Sequence, residues 1–129
     1  MRRRVLVVED NDASRELLCD WLEAEGFEAL GAENLEQGFE ALRKLRPAAM
    51  LLDVQLGEED GLKLAEWLRK EPEHRELPVI AVTAHAMVTD QERVLEAGCA
   101  ASLAKPVDFK VLRKELKKHL GKEAYNGDD

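Results

Sequence analysis

At 129 residues, 45% of them hydrophobic, the chain has the size and apolar content of a single domain with one core, and leaves no room for a second. A formal net charge of −8 argues against general affinity for nucleic acid, and the cluster Arg2-Arg3-Arg4 reads as a solvated lead-in to the first strand. Cys19 and Cys99 have neither disulfide-framework nor zinc-ligand spacing, and no apolar run nears the roughly 20 residues that span a bilayer, so a soluble protein of the reducing cytoplasm is expected, its cysteines buried or half-buried fillers.

In chain order, short apolar runs alternate with amphipathic helical stretches. Residues 5–8, Val-Leu-Val-Val, read as a buried strand that stops on Glu9-Asp10. Residues 14–25 carry Leu17, Leu18, Trp21 and Leu22 at helical spacing, and Gly26 stops that helix. Residues 27–31 form a short second strand. Asn34 caps a helix carrying Leu35, Phe39, Leu42 and Leu45, ended by Arg46-Pro47. Residues 48–52 are a third apolar run, and it delivers Asp53. Gly61 opens a helix with Leu64, Ala65 and Leu68, and Pro72 and Pro78 bracket the loop that follows. The fourth run, residues 79–82, stops on Thr83; residues 90–97 supply a helix closed by Gly98; residues 101–104 stop on Lys105-Pro106. Asp108 caps a last helix that turns Phe109, Leu112, Leu116 and Leu120 inward and Lys110, Arg113, Lys114, Lys117 and Lys118 to water. Residues 1–121 thus make one doubly wound α/β domain around a five-stranded parallel sheet, and residues 122–129 a polar tail.

The polar ends of the strands carry the chemistry. In an open parallel sheet with crossover helices these ends share one edge, where such folds bind ligands. Glu9, Asp10 and Asp53 would converge there, and like charges about 4 Å apart repel by on the order of 1 kcal/mol even in water-like dielectric. A hard divalent ion offsets that repulsion, and Mg2+ favours few carboxylates together with water and a phosphate oxygen. Lys105 adds a compact positive charge, and the Thr83 hydroxyl can donate to a second phosphoryl oxygen. The set reads as a divalent-cation and phosphoryl site.

Val7-Val8-Glu9-Asp10-Asn11, Leu52-Asp53, Val82-Thr83-Ala84 and Lys105-Pro106 together resemble the receiver domain of two-component response regulators, of flavodoxin-like (βα)5 fold, over residues 4 to 120. The resemblance implies that Asp53 is a phosphoacceptor, served by a sensor histidine kinase or a histidine phosphotransfer protein and switching a downstream protein target. It implies that Asp10 and Asp53 bind Mg2+ directly, that Glu9 acts mainly through water, and that the main-chain carbonyl of Gln55 completes the ligands. Thr83 matches the switch hydroxyl and Lys105 the phosphate-contacting lysine, whose bond to Pro106 is cis in the family. Such a domain is a signalling device, with no direct nucleic-acid contact or membrane insertion, and not a metabolic enzyme; it catalyses only its own phosphotransfer and slow dephosphorylation. The string Thr83-Ala84-His85-Ala86-Met87 is similar to receivers of hybrid kinases and phosphorelays.

Two positions depart from the family, and two more could tune the site. Ser102 stands where the family has an aromatic whose ring turns inward on activation, which implies altered coupling between phosphorylation and output. Gly57 stands where proline is common and reads as a tolerated turn glycine in a pliable loop over residues 56–61. His85 and the Gln55 side chain would overlook the phosphoryl pocket, where they could tune access of water, although a solvated histidine is the plainer reading. Trp21 and Trp67 read as core or half-core residues, with Trp21 also able to offer an apolar edge to a helical partner. A haloacid dehalogenase-type phosphatase would want a second Asp where this chain has Gln55, and a nucleotide-binding turn would want glycines where it has Glu9-Asp10-Asn11-Asp12. The remaining alternative is an interaction module in which phosphorylation is silent.

Overall fold

Runs of Val, Leu and Ile that are apolar on both faces belong in a sheet covered on both sides, and the chain builds one. The structure, a computed structural model, describes residues 2–84 and 88–121; His85, the end of the string to Met87, and the expected tail 122–129 lie outside the described residues. The elements are β1 (Arg4–Val8), α1 (Asp12–Ala24), β2 (Glu28–Ala32), α2 (Leu35–Leu45), β3 (Ala49–Asp53), β4 (Gln55–Leu56), β5 (Glu59–Asp60), α3 (Leu62–Lys70), β6 (Val79–Thr83), α4 (Val88–Glu96), β7 (Ala101–Ala104) and α5 (Phe109–Leu120). The five long strands form one parallel sheet in the order β2-β1-β3-β6-β7, the doubly wound order of the flavodoxin-like fold.

Strand alternation sorts the core into two layers. Leu6, Val8, Met50, Leu52, Val79 and Ala81 point to the side packed with Leu42, Leu64, Leu68 and Val94 of α2, α3 and α4. Val5, Val7, Ala49, Leu51, Ile80 and Leu103 point to the side packed with Leu18, Leu22, Leu112 and Leu116 of α1 and α5. Each fully buried leucine stabilises by about 1.5–3 kcal/mol, so the sheet is a stiff platform for whatever its ends carry. Cys99 is buried and Cys19 half-buried, as fillers should be; burial pushes both thiols up, that of Cys99 to about 12. Trp21 stacks on Phe109 at 5.1 Å between ring centroids, and Trp67 meets Phe39 edge-on at 5.4 Å.

Several boundaries differ from the sequence expectation, each for a local reason. α1 starts at Asp12 because Asn11 caps it, its side chain accepting the Ser14 N–H at 2.9 Å. β2 starts one residue later than expected because the Phe27 N–H is used by the Leu22 carbonyl, closing the end of α1. Leu17 sits at the rim of the α1 stripe and is 58% exposed, and Arg2 and Arg4 reach Glu23 and Glu28 instead of standing free in solvent. The segment read as a pliable loop is the antiparallel hairpin β4–β5, with Gly57 at φ +61. A proline is locked near φ about −65°, so glycine here sets the turn and is more than tolerated. Among the described residues no helix is long and apolar enough to cross a membrane.

Candidate functional site

Register places the acids. Val8 pairs with Leu52 and Asp53 with Val82, so Glu9 and Asp53 emerge side by side at the carboxyl edge of the sheet, with Thr83 at the end of β6. The Lys105 N–H bonds the Thr83 carbonyl at 2.9 Å, extending β7 past Ala104 and turning Lys105 over the same edge through a cis bond to Pro106. The cleft so formed holds about 580 Å³ and is lined by Glu9, Asp10, Asp53, Gln55, Thr83 and Lys105 among others.

Within it the charges are closely coupled. The Lys105 ammonium lies 3.1 Å from Asp53 Oδ2 and 3.1 Å from Glu9 Oε1, bridging two carboxylates that are almost wholly buried. The other oxygen of each carboxylate accepts a main-chain N–H at 3.1 Å, Asn11 to Glu9 and Gln55 to Asp53. Burial raises the Glu9 carboxyl above the ordinary carboxylate range, aided by the charge of Asp53 and opposed by the Asn11 N–H and by Lys105. Burial pulls Lys105 down, but its bonds to Asp53 and Glu9 outweigh that and hold the ammonium above the ordinary lysine range.

The residues fit a hard divalent cation. Glu9, Asp10 and Asp53 each offer a carboxylate oxygen, the three lying within 4.8 Å of one another, and no soft sulfur or imidazole donor joins them among the described residues. Asp10 is exposed and Asp53 buried, so an ion here would reach water on one side. The structure brings together all five residues singled out at the strand ends, and Gln55 lines the same cleft. Ser102 lies on β7, exposed, opposite Ala81.

Sequence reasoning passed over three further contributors. Arg15 donates from Nη1 to the Glu9 carbonyl at 2.8 Å and from Nη2 to Asp12 at 2.6 Å, holding the turn that presents the acidic pair. Gly61 was read only as the start of α3; a Cβ there would come 2.1 Å from the Asp53 carbonyl oxygen, so the close return of the chain beneath Asp53 requires glycine. Arg93 of α4 reaches across the cleft wall to Asp60 at 2.9 Å. Asp60-Gly61 before a helix is a visible cap-like signal, but nothing local marks Arg93 as its partner.

The chain is similar to known proteins in sequence and in fold. The family profile described as the response regulator receiver domain matches residues 5–117. The polar-differentiation response regulator DivK of Brucella anthropi is 39% identical over 121 residues, 94% of this chain and 98% of that protein. Among solved structures, a CheY-like response regulator receiver domain protein from Methanospirillum hungatei JF-1 superposes with a TM-score of 0.86 at 27% identity, covering 98% of this chain and 100% of its own. The receiver domain of a sensor histidine kinase from Pseudomonas aeruginosa PAO1, which has a magnesium ion coordinated in its active-site cleft, does so with a TM-score of 0.85 at 29% identity, over 95% and 100% of the two chains.

Proposed function

The chain belongs to the response regulator receiver domain family, and from that premise we propose that Asp53 is its phosphoacceptor, taking a phosphoryl group from a phosphohistidine of a sensor histidine kinase or histidine phosphotransfer protein in the cytoplasm. The observation that carries this is the bridged pair: Lys105 spans Asp53 and Glu9 at 3.1 Å each, beside a third carboxylate, at the ligand-binding edge of the sheet. A carboxylate oxygen of Asp53 attacks phosphorus, a P–O bond forms as the donor's P–N bond breaks, and the electron pair leaves with the imidazole nitrogen.

Asp53 is already oriented for this, one oxygen held by the Gln55 N–H and the other by Lys105. Lys105 then follows the charge onto the phosphoryl oxygens, and Thr83, ending the adjacent strand, is the hydroxyl drawn toward them. Asp10, Asp53 and the Gln55 main-chain carbonyl would hold Mg2+, with Glu9 acting through water. The ion's contribution is neutralisation of charge on the transferring oxygens. An apolar trough of about 360 Å³ between Leu17, Leu18, Val107 and Phe109 opens onto Glu9 and Lys105, which suits a helical partner carrying its histidine to the site. With Ser102 in place of a ring, the downstream target is engaged by movement around α4.

Incubation with acetyl phosphate and Mg2+, read by intact mass, tests the reading. One phosphoryl increment is expected on the wild-type chain and none on Asp53→Asn or in excess chelator. Labelling that survives either condition removes Asp53 as the acceptor.

A further inference from the structure

One acid in the cleft wall is tied on three sides. Asp60 stands on β5 directly across from Gln55 on β4. Its Oδ1 accepts the Leu62 N–H at 3.0 Å, the first residue of α3, and its Oδ2 accepts Arg93 Nη2 of α4 at 2.9 Å. Its neighbour Glu59 accepts the Leu35 N–H at the start of α2 at 3.1 Å. Across the hairpin, the Gln55 N–H holds Asp53 Oδ1. A continuous path therefore runs from a guanidinium on α4 through Asp60 and the β5–β4 pairing to Gln55 and the Asp53 carboxylate.

We propose that Asp60 and Arg93 are positioning residues for the metal site: their ion pair fastens β5 to α4 and, through the pairing of β5 with β4, sets where Gln55 stands relative to Asp53. The inference rests on the reading of Gln55 and Asp53 as Mg2+ ligands. A hairpin of two residues per strand does not hold its own shape, so its geometry is imposed by these ties. Mg2+ demands near-ideal octahedral placement, and groups behind the ligands accordingly tune affinity. Linkage makes the effect reciprocal: whatever Arg93 adds to Mg2+ affinity, bound Mg2+ returns to the position of α4 by the same factor. The helix that follows the switch hydroxyl is thus coupled to the metal site by a route separate from Thr83.

The sign of one substitution separates this from a bare charge effect. Arg93 is a cation on the wall of a cation site, so by charge alone Arg93→Ala tightens Mg2+. As a positioning residue, its loss loosens the hairpin and weakens Mg2+. Calorimetric titration of the full chain with Mg2+ at fixed ionic strength, with amide NMR on the same samples, reads both. Arg93→Ala should bind Mg2+ about threefold more weakly, the scale set by an exposed ion pair, and Arg93→Lys should recover most of the loss. Mg2+ should shift the amides of Arg93 to Glu96 in the wild type and leave them unmoved in Arg93→Ala, while those of Gln55 to Asp60 respond in both. Arg93 is on an exposed helical surface, so the variant keeps its fold. Equal or tighter Mg2+ binding by Arg93→Ala overturns the coupling alone; a wild-type chain that takes up no Mg2+ overturns the metal site and the coupling together.

Discussion

Helices α4 and α5 flank neighbouring strands on opposite faces of the sheet and are held there by different physics. α5 drives Leu112, Leu116 and Leu120 into the core, its Phe109 stacks on Trp21, and Arg113 grips Glu25 with two bonds of 2.8 Å. α4 and the residue after it bury only Val94 and Ala97 among the described residues, and Leu95 is 67% exposed. Polar ties add to that smaller buried face: Arg93 to Asp60 at one point, and Arg69 of α3 donating to the Glu96 carbonyl at the other. Hydrophobic burial is non-directional and costly to undo, whereas an exposed ion pair is worth up to about 1 kcal/mol and can be exchanged. α5 is therefore frame, and α4 is the element that can shift when the end of β6 changes, without opening the core.

The widest gap between the two should appear on truncation. Leu116→Ala leaves a cavity against Leu22 and the sheet and should cost about 3 kcal/mol, whereas Val94→Ala, with less removed and a looser surround, should cost about 1–2 kcal/mol. Urea unfolding monitored by Trp fluorescence measures both. Equal losses would mean that α4 is packed as firmly as α5, and the contrast would fail.

Gly61→Ala comes next. The new Cβ would lie 2.1 Å from the Asp53 carbonyl oxygen and 3.1 Å from that of Val54, backbone atoms that cannot rotate aside. The chain must move, at about 1–3 kcal/mol, and the displaced end of β3 should lose most of its labelling by acetyl phosphate as well. A stable variant that labels normally would show that the return beneath Asp53 is slack.

What the sequence made legible follows from the same geometry. A parallel sheet puts every strand's end at one edge, so an apolar run closed by a polar residue announces both a strand and a candidate site; Glu9, Asp10, Asp53, Thr83 and Lys105, which line one cleft, were all readable in this way. The hairpin was not, because strands of two residues have no period to detect, and Gly57 alone does not say that its turn needs a positive φ. The Asp60–Arg93 pair joins residues 33 apart through exposed side chains, and no local pattern encodes such a contact. Helical spacing located the stripe of α1 but not its edge, so Leu17 was grouped with buried neighbours while it faces the trough beside the site.

The bridging lysine yields a smaller effect with a distinct pH signature. Removing Lys105 leaves Glu9 and Asp53 nearly buried without a counter-charge, and because the lysine is itself partly exposed the loss should be about 1–2 kcal/mol at neutral pH. Its bonds to the two acids raise its folded pKa above the ordinary 10.5, so the stability it contributes is fully present below pH 10.5 and is lost as pH rises through the folded value. The difference between wild type and Lys105→Ala in urea should therefore hold constant from pH 7 to 10 and narrow above that. A gap that stays constant past pH 11 would mean that the lysine contributes packing and not charge.

The smallest effect in energy bears most directly on the two helices. Ser102 is exposed on β7, across from Ala81, so it is not part of the core and cannot swing a ring between two environments as α4 moves. A modification shifts an equilibrium only through its differential interaction with the two states, and on the proposed reading those differential contacts lie at Thr83 and along α4, not at α5. Beryllofluoride with Mg2+, mimicking the phosphoryl group on Asp53, should then move the amides of Thr83, Ala84 and Arg93 to Glu96 strongly while those from Phe109 to Leu120 change little. Thermal stability of the free protein should be the same in Ser102→Ala, since no buried contact is lost. Were the shifts instead to spread evenly along α5, three buried leucines would have failed to hold it, and the division into a fixed helix and a movable one would be wrong.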